Sequence, residues 1–357
     1  MIFVKNMEMK KISILLILFP FITGYSSAQQ DLPSAKNSHT VVFYNVGKLF
    51  DAVNDPKTFD DEFLPEGQKQ WTGEKYKKKI TDIAKVLSVI NENELPAIIG
   101  LVEVENRKVV EDLVSSPKLR RGKYSIIQYD SKDEKGLEAA LLYTKDEIEI
   151  VDSKSIPVEF GFDIKDVTRD ILYVKFKIKG DNVYHIFITQ WPLRSPNEQD
   201  SEIKRISAAV SLRKEVDKIL NFENNARIII MGDFNDEPTN KSVMQILNAT
   251  NKRKNLNYRD LYNLMYDQHN IGNEGTTTSN SGWVMFDQII VSPGLFNKGT
   301  GYYLTFDDGK IYKGNEVVIT DPQTKLTQPN KTYDGYNYLG GVSSHLPVYV
   351  ILKKDNK

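Results

Sequence analysis

The sequence predicts a layered α/β fold with mixed or antiparallel sheets, on three observations. Apolar, β-branched runs recur along the chain. Two long stretches between them carry apolar residues at helical spacing. Several strand-like runs also follow one another directly, which a purely parallel sheet does not permit, because each parallel return needs a long crossover. In chain order, "TVVFYNVGKLFD" from Thr40 opens as a β-rich run that ends in Asn45. "EKYKKKITDIAKVLSVIN" (74–91) sets Ile80, Ile83, Ala84, Leu87 and Ile90 on one face and predicts a helix. "LPAIIGLVEVEN" (95–106) is a second buried strand ending in acids. "AALLYT" (139–144), "RDILYVKFKIKG" (169–180) and "VYHIFITQWPLRS" (183–195) continue the strands, the second with clear alternation. "EIKRISAAVSLRKEVDKILNFEN" (202–224) is a long amphipathic helix. "IIIMGDFNDEPTN" (228–240), "WVMFDQIIVS" (283–292) and "GGVSSHLPVYVIL" (340–352) complete the strand set. Residues 294–339, rich in Gly, Tyr, Asn and Asp, read as an irregular insertion. No repeat or low-complexity linker divides the chain, so residues 40–357 are expected to form one domain.

The N-terminus has the pattern of a secretory signal. From Met9 it reads "MKKISILLILFPFITGYSSAQQ", with a basic start, a short apolar run broken by Pro20, and small residues up to Ala28. The run is too short for a comfortable membrane span. Residues 1–28 are therefore expected to be a signal peptide, residues 29–39 a polar lead, and the mature protein exported, periplasmic or secreted, with no membrane span. Removing residues 1–28, with three Lys and one Glu, changes the formal charge from −1 to −3. Such a chain advertises no non-specific nucleic-acid binding, although metal ions could supply positive charge within a site.

Composition limits the chemistry. There is no cysteine among the 357 residues, which excludes disulfide partners, thiolate metal sites and cysteine nucleophiles. Only four histidines are present, too few to favour a multi-histidine zinc centre. A bound metal would meet oxygen ligands, which suits Mg²⁺ first, with Mn²⁺ and Ca²⁺ as alternatives. The strands share a punctuation: Asn45, Glu103, Asp233 with Asn235, Asp287 and His345 all sit where an apolar run gives way to polar groups. An acid at one strand end is ordinarily a turn or a helix cap. Five such ends together point to a site.

Taken in order, "YNVGKLFD", "GLVEVEN", "TRDILYVK", "ITQWPLRS", "IIIMGDFNDEPTN", "MFDQIIVS" and "SSHLPVYV" resemble the motifs of the endonuclease/exonuclease/phosphatase superfamily, in its exported Bacteroidetes-type branch. The resemblance spans residues 40–352. It implies a DNase I-like, four-layer α/β sandwich, with two central mixed or antiparallel sheets flanked by helices and the site at their open end. It also implies hydrolysis of a phosphate ester with a divalent cation. Carried over residue by residue, Glu103 and Asn45 would hold the metal, and Asp233 and Asn235 would orient water and a phosphate oxygen. His345, oriented by Asp287, would act at the phosphate, with Arg169 and Gln190 beside it. The expected substrate is a nucleic acid, a phospholipid head group or a phosphosugar, and the expected state is a monomer.

The chain departs from the family pattern at three places. Gln190 stands where many members have His, and Ser344 where they read Asp. Gly47 and Lys48 replace a Glu and an Asn in the first motif. An amide does not titrate, so Gln190 cannot serve as a general acid. The departures allow two expectations: an exported phosphoesterase of reduced activity, or an inactive relative that keeps the fold as a binding protein.

Overall fold

The strand-like runs assemble into two large sheets. The structure, a computed structural model, describes residues 36–355 apart from 93, 164 and 165. The expected signal peptide and residues 29–35 of the polar lead lie outside the described residues. In chain order the strands are β1 (Ser38–Leu49), β2 (Ile98–Val104), β3 (Tyr124–Gln128), β4 (Glu138–Thr144), β5 (Ile148–Ile156), β6 (Ile171–Ile178), β7 (Val183–Gln190), β8 (Arg227–Asp233), β9 (Ala249–Thr250), β10 (Leu261–Asn263), β11 (Thr277–Ser279), β12 (Gly282–Val284), β13 (Asp287–Val291), β14 (Lys310–Ile311), β15 (Val318–Thr320), β16 (Thr327–Pro329), β17 (Tyr333–Asp334), β18 (Asn337–Tyr338) and β19 (Val348–Lys353). The helices are α1 (Gly73–Val89), α2 (Arg107–Ser115), α3 (Glu198–Phe222) and the short α4 (Tyr266–Asn270). One sheet has the order β14-β19-β1-β2-β4-β3 and the other β5-β6-β7-β8-β13-β10-β9. Both are mixed: β1 is parallel to β2 but antiparallel to β19, and β7 is parallel to β8 while β8 is antiparallel to β13.

Period-two alternation explains the layering. In β1, Val41 and Phe43 face the second sheet, whereas Val42, Tyr44 and Val46 face the helix layer. In β8, Ile229 and Met231 face the first sheet, while Ile228 and Ile230 pack with α3. Each central strand is therefore apolar on both faces and reads as a nearly continuous hydrophobic run. The order of layers is α1 with α2, first sheet, second sheet, α3, the four-layer sandwich expected. At Gly100 the sheets pack tightly, because a Cβ there would press on Met231 and lie 3.0 Å from Ile188 Cδ1.

Polar contacts seat the helices. Thr72 caps α1 by accepting from the Lys75 N–H, and Asn106 caps α2 by accepting from the Val109 N–H at 3.1 Å. Helix α3 lacks a side-chain cap but carries the fully buried Arg205, whose Nε lies 2.9 Å from Asp236. That ion pair ties α3 to the turn following β8.

Residues 294–339 are more regular than expected. Lys310–Ile311 adds an edge strand to the first sheet, and β15–β16 and β17–β18 form small antiparallel ladders. The run 283–292 breaks into β12 and β13, and residues 340–347 form a loop before β19 rather than a strand.

Candidate active site

The site is the polar end of the core between the sheets. Asn45 lies two residues beyond Phe43, Gln190 two beyond Ile188, Asp233 two beyond Met231, and Asp287 two before Ile289. Each therefore shares a strand face with an inward core residue. Register brings them level: Gln190 pairs with Asp233 across β7–β8, and Asp233 with Asp287 across β8–β13. All four are nearly or fully buried.

Glu103 arrives by a different route. The β2–β4 register slips between Val102 and Val104, and Glu103 takes a left-handed φ of 64° in that bulge. Beside it the β1–β2 register slips between Asn45 and Leu49, where Gly47 (φ 65°) and Lys48 (φ 55°) are also left-handed. Bulges re-aim side chains at sheet ends. Here they turn the Glu103 side chain into an open cleft of about 390 Å³ that His345 also lines.

Two amides knit the carboxylates together. Asn45 Nδ2 donates to Asp233 Oδ2 at 2.9 Å and to Glu103 Oε1 at 3.3 Å. Gln190 Nε2 donates to Glu103 Oε1 at 2.7 Å and to Asp233 Oδ2 at 3.3 Å. The Lys48 N–H completes Glu103 by donating to Oε2 at 2.8 Å. Asp233 Oδ1 accepts from the Asn235 N–H at 3.1 Å, within the turn. On the other side, His345 Nδ1 lies 2.8 Å from Asp287 Oδ2, so Nδ1–H donates and Nε2 remains for the cleft. Asp233, Asp287 and His345 have ligand-type atoms all within 4.8 Å of one another.

Electrostatics follow from this crowding. Burial alone would lower the His345 pKa, but the charges of Asp287 and Asp233, the Asp287 hydrogen bond and Glu103 outweigh it and raise it to about 10. Burial raises the Asp233 pKa, opposed by His345 and reinforced by the neighbouring Asp287 and Glu103 charges. Burial would raise Glu103 as well, but the charges of Arg169 and His345, with the Gln190 and Asn45 amides, hold it below the ordinary value. At neutral pH an ionised Glu103 thus faces an imidazolium.

Several of the expected side chains have partners within the protein. Asn45 is fully buried, with its Oδ1 accepting from the Gly47 N–H at 2.9 Å, and its amide group organises Glu103 and Asp233. Gln190 Nε2 donates to both carboxylates, because the β7 end sits between Glu103 and Asp233. Arg169 is buried, with Nε donating to Leu137 O at 2.9 Å and lying 3.5 Å from Asp133, and it acts on Glu103 through its charge. Asn235 donates through Nδ2 to Trp191 O at 2.9 Å, which fixes the β7 end against the β8 turn.

Other residues of the site carry no clear signal in the sequence. Ser343, not Ser344, pins the last loop: its Oγ donates to Asn45 O at 2.7 Å and accepts from the His345 N–H at 3.1 Å. Thr276 Oγ1 accepts from the Asp287 N–H at 3.0 Å. Lys79 of α1 is buried, donates to Gly47 O and lies 3.1 Å from Thr332 Oγ1. Burial lowers its pKa to about 7 against the pull of Glu103. In the sequence Lys79 is the last of three consecutive lysines, and only its helical spacing from Ile83 and Ile90 could have singled it out.

The donor set fits a hard divalent cation. Three carboxylates meet one imidazolium here, and the buried acceptors Asp287 Oδ1 and Gln190 Oε1 have no partner among the described residues. Carboxylate and amide oxygens are the hard donors that suit Mg²⁺.

Residues 40–354 match the endonuclease/exonuclease/phosphatase family. No curated protein matches the sequence. Among solved structures, the chain is similar to an endonuclease/exonuclease/phosphatase family protein from Bacteroides thetaiotaomicron at 18% identity and TM-score 0.52, covering 90% of this chain and 99% of that one. It is also similar to the human Nocturnin catalytic domain (15% identity, TM-score 0.51, 89% and 95% coverage) and to a mannosyl-6-phosphatase of Bacteroides thetaiotaomicron (17% identity, TM-score 0.50, 88% and 99%). At these identities the likeness is one of fold.

Proposed function

Because the chain belongs to the endonuclease/exonuclease/phosphatase family, a family of phosphate-ester hydrolases, we propose that it is an exported, divalent-metal-dependent phosphoesterase. The observation that carries this reading is the convergence of Glu103, Asp233, Asp287 and His345 from four chain segments at one end of the core, with Glu103 and His345 lining the cleft. Glu103, reachable from the cleft and held ionised, is the residue to hold the cation, with the neighbouring carboxylates in reserve. When bound, a Mg²⁺ ion supplies charge stabilisation to phosphate oxygens.

The chain's own residues divide the remaining work. Asp233, fixed by Asn45, Gln190 and the Asn235 N–H, accepts the proton of an attacking water. His345, charged and held by Asp287, donates from Nε2 to an oxygen of the phosphate, where negative charge develops. Asn235 and Trp191 keep the β7 and β8 ends together so that this geometry persists. The competing reading, binding without turnover, draws on one observation: Gln190, which cannot titrate, sits between the two carboxylates.

Hydrolysis of p-nitrophenyl phosphate and bis-p-nitrophenyl phosphate, with Mg²⁺, Mn²⁺ or Ca²⁺, decides between the readings. Turnover that Asp233→Asn lowers by ~10²-fold or more supports the enzyme, since a general base contributes about that much. No turnover of any ester by a folded wild-type chain would favour the binding protein. Export follows from the segment Met9–Ala28, and mass spectrometry of the secreted protein should find its N-terminus at or near Gln29; an intact Met9–Ala28 on exported protein would sink that part.

A further inference from the structure

The cleft beside Glu103 and His345 is more cationic than the chain that carries it. The protein has a formal net charge of −1, yet Lys48, Lys69, Lys79 and Lys331 all line this cleft, and Glu103 is the only carboxylate among its lining residues. Cations gathered at a concave surface repel one another and focus a positive potential outward. Two of the four are satisfied within the protein. Lys79 is buried against Gly47 O and Thr332 Oγ1, and Lys69 donates to Gly335 O at 2.5 Å and lies 3.3 Å from Glu62.

The other two are not. Lys48 is exposed and Lys331 half-buried, and among the described residues neither has a carboxylate partner within ion-pair distance. Lys48 is rooted in the rigid bulge that also donates to Glu103, and its Nζ stands 5.5 Å from the Phe63 ring centre. Lys331 immediately precedes Thr332 and Tyr333, which also line the cleft. Tyr333 meets Phe63 edge-on at 6.3 Å, so the two rings wall one side. The volume, about 390 Å³, is that of a small-molecule site.

We propose that this cleft is a second anion subsite, in which Lys48 and Lys331 hold a second phosphate group of a small, sugar-sized phosphate ester whose first phosphate meets His345. The proposal rests on the phosphoesterase reading and narrows its substrate class to small esters that carry two phosphates. Lysine suits the task because its ammonium is a point charge on a long stem that adapts to a phosphate.

The test is calorimetric binding of fructose 1,6-bisphosphate, fructose 6-phosphate and a thymidine tetranucleotide, with Mg²⁺, to the full chain carrying Asp233→Asn to stop turnover. The same titrations on the chain without that change, in EDTA, guard against a folding defect. The bisphosphate should bind about tenfold tighter than the monophosphate, and Lys48→Ala with Lys331→Ala should cut the preference to about threefold or less. Equal binding of the two sugars overturns the proposal, as does a preference that survives both lysine changes. Tetranucleotide binding tighter than the bisphosphate also overturns it and assigns the cleft to a nucleic-acid strand. Failure of the phosphoesterase reading is seen separately, as absence of phosphate release from p-nitrophenyl phosphate by the unaltered chain, whatever the binding ratio.

Discussion

His345 has one ring nitrogen committed to Asp287 and a pKa raised from 6.5 to about 10, so at neutral pH it is an imidazolium among three carboxylates. A histidine whose folded pKa lies above its unfolded one contributes stability that is fully present below about pH 6.5 and is lost as pH rises through about 10. Urea unfolding of wild type and His345→Gln across pH 6 to 10.5 should therefore show the gap between them closing with rising pH; a constant gap would contradict the charged pair. Activity should fall along the same alkaline limb, and should fall on the acid side as Asp233, whose pKa burial has raised, takes up its proton. Gly47 is a second residue whose backbone decides its identity. Its φ is 65°, and a Cβ there would meet Ser343 Oγ at 3.0 Å. Gly47→Ala should lower stability by about 1–2 kcal/mol, the cost of a left-handed L-residue, measured as a lower denaturation midpoint at unchanged slope. The same glycine is one of the departures from the family's first motif, and its φ lets the bulge bring the Lys48 N–H onto Glu103.

At the scale of elements, the sheets and long helices were legible because they obey simple periods. The stripe at 74–91 became α1 (Gly73–Val89), and the one at 202–224 became α3 (Glu198–Phe222). Among the elements that escaped reading are α2, β3 and β5, along with the short strands and α4 between β8 and β12 and the small ladders within 294–339. Helix α2 has nine residues, too few for a clear stripe, and β5 is largely exposed, with "IEIVDSKSI" mixing charges into an edge strand. A close-packing prediction belongs at this scale. Gly100 of β2 lets the two sheets meet over Met231 and Ile188, so Gly100→Val should overpack the interface. The expected loss is about 1–3 kcal/mol, read from chemical denaturation, with the site weakened as well because Glu103 lies three residues along the same strand. Full stability in Gly100→Val would mean that the sheets have slack at that point.

At the scale of the whole molecule, the site exists only when both sheets are in place, since Glu103 comes from one and Asp233 and Asp287 from the other. A cation that binds there binds the folded chain alone and stabilises all of it by mass action, about 2.7 kcal/mol at a concentration 100 times its dissociation constant. Millimolar Mg²⁺ should therefore raise the melting temperature, EDTA should reverse the rise, and Glu103→Gln should abolish it; an equal rise in that variant would move the metal away from Glu103. The sequence alone determined the strand faces, the helix stripes and the positions where polar groups interrupt the apolar runs, because these follow from periods of two and 3.6 and from chain-local chemistry. It also singled out Asn45, Glu103, Asp233, Asn235, Asp287 and His345 as polar groups where apolar runs give way. The tertiary structure alone decided what those groups touch. Asn45 and Gln190 spend their amides on carboxylates, Arg169 is braced by Leu137 and Asp133, and Ser343 rather than Ser344 holds the last loop. Lysines far apart in sequence share one cleft for the same reason. The physical reason is register: which residue faces which across two sheets depends on bulges and pairings between distant segments, and no local pattern in the chain records them.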